Sequence, residues 1–201
     1  MITIVNYGMG NLGSVQNMFK RIGVRSEIVD EPSKLAQASK ILLPGVGAFD
    51  QAMKRINESG FREVLDQKAL LEKVPMLGIC LGMQLLTRGS EEGKLPGLGW
   101  VAADTIRFPK QKGLKVPHMG WNMVATAAPS ALTINLLEDS RFYFVHSYRV
   151  HVDNEANSIL KCTYGVTFDA AIQQDNIFGA QFHPEKSHKF GMQLLRNFSE
   201  V

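Results

Sequence analysis

Short strand-like runs punctuate the first part of the chain at Ile2–Val5, Glu27–Val29, Ile41–Leu43 and Pro75–Ile79. Each has the length of a buried strand and is bounded by turn residues. Between them, apolar positions recur at helical spacing. Leu12, Val15, Met18, Phe19 and Ile22 form one such stripe and Gly23 ends it. Ala48 to Ile56 and Phe61 to Val74 form two more, separated by Gly60, and Pro32 to Ala38 reads as a short helix opening on proline. Strand and helix therefore alternate as far as Thr87, which predicts an α/β domain whose sheet is mostly parallel and covered on both faces.

Beyond Thr87 the rhythm changes. Arg88 to Gly99 is rich in Gly, Glu and Pro and reads as loop. Val101–Pro109, Leu114–Pro117 and Trp121–Val124 read as strand pieces joined by turns, and Phe142–Val145 as a strong strand. Ser158–Tyr164, Phe168–Gln173 and Ile177–Phe182 predict an antiparallel meander. A helix over Phe190–Phe198 follows, with Phe190, Leu194, Leu195 and Phe198 on one stripe. No repeat or linker divides the chain. The expectation is a single three-layer domain over residues 1–201, with a mostly parallel central sheet and an antiparallel C-terminal portion.

Composition narrows the function classes. With 201 residues, 45% hydrophobic and 20% charged, the balance is that of a globular domain with a full core. The net charge of +3 comes from scattered Lys and Arg, which gives no electrostatic case for nucleic acid or a membrane surface. No apolar run reaches membrane-spanning length, and the opening Met1–Val5 lacks the charged start of a signal peptide. Two cysteines, Cys80 and Cys162, make neither a disulfide framework nor a tetrahedral metal set, so a reduced cytoplasm is the simplest expected home.

The first candidate chemistry lies at Gly78-Ile79-Cys80-Leu81-Gly82, where the strand ending at Ile79 meets a helix over Leu81–Leu86. This is the Gly-x-nucleophile-x-Gly pattern with sulfur in place of the serine oxygen. A strand that turns sharply into a helix strains its turn residue and crowds the positions two away, which favours glycine there. The thiol is lifted to a helix N-terminus, whose unpaired amides and dipole stabilise a thiolate. The amide of Leu81 would face an oxyanion formed on an attacked carbonyl. The bland alternative is a small buried hydrophobe, the usual fate of cysteine and the reading preferred for mid-strand Cys162.

Gln181-Phe182-His183-Pro184-Glu185 supplies the second half. Pro184 keeps His183 out of a helix, and residues two apart on an extended chain face the same side, so the Glu185 carboxylate is expected to reach and orient the His183 ring. Pro44-Gly45-Val46-Gly47 is a strand-to-helix turn whose backbone, at Val46, could offer a second N–H to the oxyanion.

Together, Gly78-Ile79-Cys80-Leu81-Gly82-Met83-Gln84 and His183-Pro184-Glu185 resemble the class I (triad) glutamine amidotransferases, and the likeness covers nearly the whole chain. Asn6–Asn11, Pro44–Phe49, His118–Asn122 and Phe144–Tyr148 narrow the resemblance to the glutaminase subunits of imidazole glycerol phosphate synthase, of histidine biosynthesis. The resemblance implies that Cys80 attacks the side-chain amide of glutamine and that His183, held by Glu185, protonates the departing ammonia. The glutamyl thioester is then hydrolysed to glutamate. It implies oxyanion donors at Leu81 and Val46, and a glutamine cradle from Gly47, Gln84 and the main chain of His146, Ser147 and Tyr148. No metal or organic cofactor is needed.

The implied partner is a separate (β/α)8-barrel cyclase, which uses the ammonia to make imidazole glycerol phosphate and aminoimidazole carboxamide ribotide. A barrel alone takes ~250 residues, more than this chain could add to its own fold. Asn11, Trp121, Asn122, Tyr143 and Lys186 are the expected docking residues of such a heterodimer, with Trp121 as anchor. Core packing is the alternative for Trp121 and Tyr143, and plain solvation for Asn11 and Lys186. A glutaminase for a different synthase, or a non-catalytic regulatory subunit on the same fold, remain as alternatives.

Overall fold

The computed structural model describes residues 1–201. Twelve strands and six α-helices follow in the order β1 (Ile2–Val5), α1 (Leu12–Arg21), β2 (Ser26–Val29), α2 (Pro32–Leu35), β3 (Ile41–Gly45), α3 (Phe49–Glu58), α4 (Phe61–Asp66), β4 (Met76–Cys80), α5 (Leu81–Leu85), β5 (Ala103–Arg107), β6 (His118–Met123), β7 (Ala125–Thr126), β8 (Arg141–His146), β9 (Tyr148–Val152), β10 (Ser158–Tyr164), β11 (Val166–Gln174), β12 (Ile177–Ala180) and α6 (His188–Glu200). The main sheet runs β2-β1-β3-β4-β12-β11-β10-β7, with β9 also on β11 and β5 on β9. From β2 to β12 every neighbour is parallel, and from β12 onward every neighbour is antiparallel. β6 and β8 form a separate two-stranded antiparallel sheet.

The parallel strands are apolar throughout because both their faces are covered. Successive residues serve opposite layers. Ile2, Ile4, Leu42, Leu77, Ile79, Phe178 and Ala180 pack with Phe19 of α1 and Phe198 of α6. Val5, Ile41, Leu43, Met76 and Ile177 pack with Phe49 and Met53 of α3, Phe61 of α4 and Leu81 of α5. The expected three layers are thus present, with the sheet in the middle.

Several local expectations are corrected. Leu114–Pro117 is not a strand. β6 begins at His118, which pairs with the last residue of β8, and Pro117 has no N–H with which to extend the ladder. The helix expected over Phe61–Val74 is regular only to Asp66 and closes through a π-helical turn, Gln67–Leu71. α2 stops at Leu35, and β12 at Ala180 rather than Phe182. β9 was not expected at all. Only Ser147 separates it from β8, without the Gly or Pro that would mark a turn.

Candidate active site

Cys80 is the hinge between β4 and α5, at φ 55° and ψ −111°, a conformation that L side chains rarely adopt. The glycines two residues either side explain how the chain tolerates it. A Cβ on Gly82 would lie 2.0 Å from the carbonyl oxygen of Leu43 in β3, and one on Gly78 would lie 2.6 Å from the carbonyl oxygen of Gly82. Strand, turn and helix therefore touch backbone to backbone, and the elbow expected from the sequence is present. Its position in the sheet follows from register: Cys80 pairs with Gly45 on β3, and Ile79 with Ala180 on β12.

β12 delivers the imidazole. The chain leaves the sheet after Ala180, and the amide of His183 donates to the carbonyl of Tyr143 on β8 (2.9 Å). Ser187 pins the same segment, its Oγ donating to the carbonyl of His183 (2.6 Å) and accepting from the amide of Tyr143 (3.0 Å). His183 and Glu185 meet as expected, Nδ1 to Oε1 at 2.8 Å, with both side chains 3% exposed. The route differs from the expectation. His183 is extended, but Pro184–Lys186 is a 3-10 turn, so the carboxylate reaches the ring by curling back rather than by strand alternation.

Burial acts to lower the His183 pKa. Interactions with Cys80 and Glu185, and the negative charge these carry, outweigh it and lift the imidazole to about 9. Its Nε2 is buried and has no partner within ordinary hydrogen-bond limits. Approach to the sulfur therefore stops short of a closed hydrogen bond, as catalytic pairs often do before substrate binds.

One cavity of about 360 Å³ gathers most of the sequence-derived candidates. Cys80, His183, Leu81, Val46, Gly47, Gln84, His146, Ser147 and Tyr148 all line it, with Lys186 at its edge. Glu185 stands outside the lining, behind the ring. Of the expected docking residues, Asn11 is exposed just before α1 and Trp121 is 45% exposed on β6. The indole stacks on His188 (centroids 5.5 Å, 8°) and meets the edge of Tyr143. Tyr143 is half-buried on the face of β8 opposite the fully buried Phe142 and Phe144, and the Lys186 ammonium lies 5.6 Å from its ring centroid. Asn122 donates to the carbonyl of Thr163 (3.0 Å). Trp121, Tyr143 and Lys186 thus form one surface group, and Asn11 is not in it.

Sequence reasoning missed three residues that shape the cavity, Glu92, His118 and Gln181. Glu92 lines it and accepts from the amide of Phe49 (3.0 Å), closing the start of α3. His118 pairs with the expected His146 at 3.0 Å, Nδ1 to Nε2, at the His146–Tyr148 wall of the cavity. His146 Nδ1 lies 2.7 Å from the carbonyl oxygen of Tyr148, which can only accept, so that nitrogen carries the proton and Nε2 accepts from His118. Burial holds both rings neutral, His118 lowered to about 4 and His146 to about 3. Gln181, fully buried, accepts from Gln84 Nε2 (3.0 Å) and puts its own Nε2 3.9 Å from Cys80 Sγ. Of these, Gln181 had a usable signal: it precedes His183 by two, and residues two apart on an extended chain face the same way. Cys162 is buried in β10, and burial pushes its thiol up to about 12, in keeping with a structural role.

A strained thiol elbow at the end of a parallel strand thus shares a cavity with an imidazole, backed by a carboxylate, from the segment that follows the neighbouring strand. The chain belongs to the class I glutamine amidotransferases: it matches the family Glutamine amidotransferase class-I over residues 3–201. Within that family it is similar along its length to proteins named imidazole glycerol phosphate synthase subunit HisH. It is 50% identical to HisH 2 of Methanococcus maripaludis, over 98% of each chain. It is 48% identical to HisH 2 of Pseudomonas aeruginosa and 49% to HisH of Bdellovibrio bacteriovorus, over 100% of each chain. Among solved structures, PurLQS from Thermotoga maritima superposes with a TM-score of 0.74 at 18% identity (99% of this chain, 97% of that one), and a glutamine amidotransferase with 0.73 at 16% (100% and 99%). These two likenesses concern the fold. No helix is long and apolar enough to cross a membrane.

Proposed function

We propose that residues 1–201 form one glutaminase domain, the ammonia-producing subunit of an imidazole glycerol phosphate synthase. Cys80 attacks the side-chain amide carbon of glutamine and forms a tetrahedral oxyanion, which the amides of Leu81 and Val46 stabilise. The C–N bond breaks as His183 gives its proton to the leaving nitrogen. The same imidazole then takes a proton from water, which attacks the glutamyl thioester and releases glutamate and the thiol. Glu185 holds the ring and stabilises its charged form. Gln84, with both amide hydrogens committed to Gln181 and Tyr148, has only its Oε1 left to offer a ligand, which suits the α-ammonium of glutamine.

The observation that supports this reading most is the shared cavity. It is lined by a left-handed cysteine and a histidine whose far nitrogen is held by a carboxylate at 2.8 Å. Near 50% identity along the full length of subunits named HisH favours that synthase over another. Ammonia is protonated in bulk water, so such a subunit works against a (β/α)8-barrel cyclase that consumes it. The surface group of Trp121, Tyr143 and Lys186 is the proposed docking anchor, with Asn122 beside it and Asn11 as a separate contact. The deciding measurement is glutamate release with and without the cyclase and its ligand. Strong activation, abolished in Cys80→Ala, is expected. Equal turnover by the isolated chain would remove the coupling, and no turnover in the complex would remove the function.

A further inference from the structure

Gln181 has no assigned part in the chemistry above, yet its side chain is fully buried at the reacting sulfur. A buried primary amide must commit both ends, and which end faces sulfur follows from its neighbours. The carbonyl of Tyr148 can only accept, so Gln84, 3.2 Å away, must present Nε2 to it. The second hydrogen of that same Nε2 points to Gln181, 3.0 Å away, so Gln181 must answer with Oε1. Its Nε2 is thereby left facing Cys80 Sγ at 3.9 Å, as a donor. His146 strengthens the starting point, since its Nδ1–H also donates to the Tyr148 carbonyl and fixes it in place. One main-chain oxygen thus sets the sense of two amides in series.

We propose that Gln181 is a positioning residue that holds the Cys80 thiolate by an N–H whose direction is imposed, through Gln84, by the Tyr148 carbonyl. A donor aimed at sulfur favours the thiolate over the thiol. The proposal rests on reading Cys80 as the nucleophile and places a donor on the sulfur where His183 Nε2 stops short of one. The other titratable groups around Cys80 are accounted for. The Tyr7 hydroxyl donates to the Pro44 carbonyl (2.7 Å), and burial together with the thiolate charge raises its pKa. His146 is neutral, and Glu92 and Lys186 lie in the cavity wall.

The test is the pH dependence of Cys80 alkylation by iodoacetamide in the full chain, with Cys80→Ala as the blank for Cys162. Gln181→Met removes the donor at similar length and should raise the thiol midpoint by on the order of one pH unit. Gln181→Glu keeps the acceptor for Gln84 but turns a carboxylate oxygen to the sulfur, and should raise it further. Midpoints equal to the unmodified chain in variants that melt normally would overturn the proposal, because a merely structural glutamine has no reason to move a thiol titration. If neither variant folds, the side-chain NH2 resonance of Gln181 in the unmodified chain decides. It should move with the thiol titration and stay still in Cys80→Ala; a resonance indifferent to the thiol overturns the proposal equally. A complex with cyclase that releases no glutamate would end the glutaminase reading while leaving the titration result intact.

Discussion

The wall of the cavity that carries Cys80 and the wall that carries His146 and Tyr148 are held by different means. On the first, main chain presses against main chain. Gly82 lies against Leu43, Gly78 lies against Gly82, and the turn residue has no freedom to relax. On the second, side chains hold one another through directed hydrogen bonds running from His118 to His146 to the Tyr148 carbonyl, and from Gln84 to the same oxygen. Backbone contact fixes position and fails all at once. A hydrogen-bond series fixes direction and loses one member at a time.

Substitutions can break this contrast or sharpen it. The largest effect belongs to Gly82→Ala, which forces a Cβ to within 2.0 Å of a carbonyl oxygen that β3 cannot move. A loss of about 3–5 kcal/mol is expected, read by thermal or urea denaturation; a variant as stable as the parent would mean that the elbow is softer than its geometry implies. His146→Leu comes next. It leaves the His118 donor and the Tyr148 carbonyl short of a partner, at about 1–3 kcal/mol. The chain should still fold, and KM for glutamine in the complex should rise more than kcat falls. A change confined to kcat would place His146 nearer the chemistry.

Smaller still is the difference between two replacements of Cys80. Both should end glutamate release, but alanine keeps the strain of a positive φ and glycine removes it, so Cys80→Gly should be the more stable by about 1–2 kcal/mol. Equal melting of the two variants would deny that the elbow stores strain. The mildest probe is pH. The His183 pKa, raised to about 9, means that the proton it is proposed to give to the leaving nitrogen is present through neutrality and lost as pH rises through about 9. Its contribution to folding is complete below ~6.5, where a free imidazole is also protonated, and disappears over the same rise. Glutamate release should therefore fall on the alkaline side near pH 9, and at lower pH in Glu185→Gln. An unchanged limb in that variant would detach the carboxylate from the ring's charge.

The same contrast explains what was legible in the sequence. The elbow was readable because its constraint is local: Gly78, Cys80 and Gly82 are spaced by two, and backbone crowding leaves that mark in any chain that makes the turn. The parallel strands were readable because burial on both faces leaves unbroken apolar runs. The hydrogen-bond series was not readable, because His118, His146, Gln84 and Gln181 come from four separate segments and a contact between distant side chains has no period. β9 was hidden by the absence of a turn residue at Ser147. Leu114–Pro117 misled because apolar residues before a proline resemble a strand when no partner is known. The His183–Glu185 pair was rightly expected by a wrong route, since the 3-10 turn after Pro184 and the imagined extension bring the same two atoms together.

β12 is the last strand along the chain, yet it lies in the middle of the sheet, parallel to β4 on one side and antiparallel to β11 on the other. During vectorial synthesis the thiol elbow can form long before its imidazole exists. The slot beside β4 must stay open, or be shielded, until β12, the last strand made, threads into it. Pairings so distant along the chain make for slow assembly. The cavity that joins Cys80 to His183 is therefore among the last features of the fold to be completed.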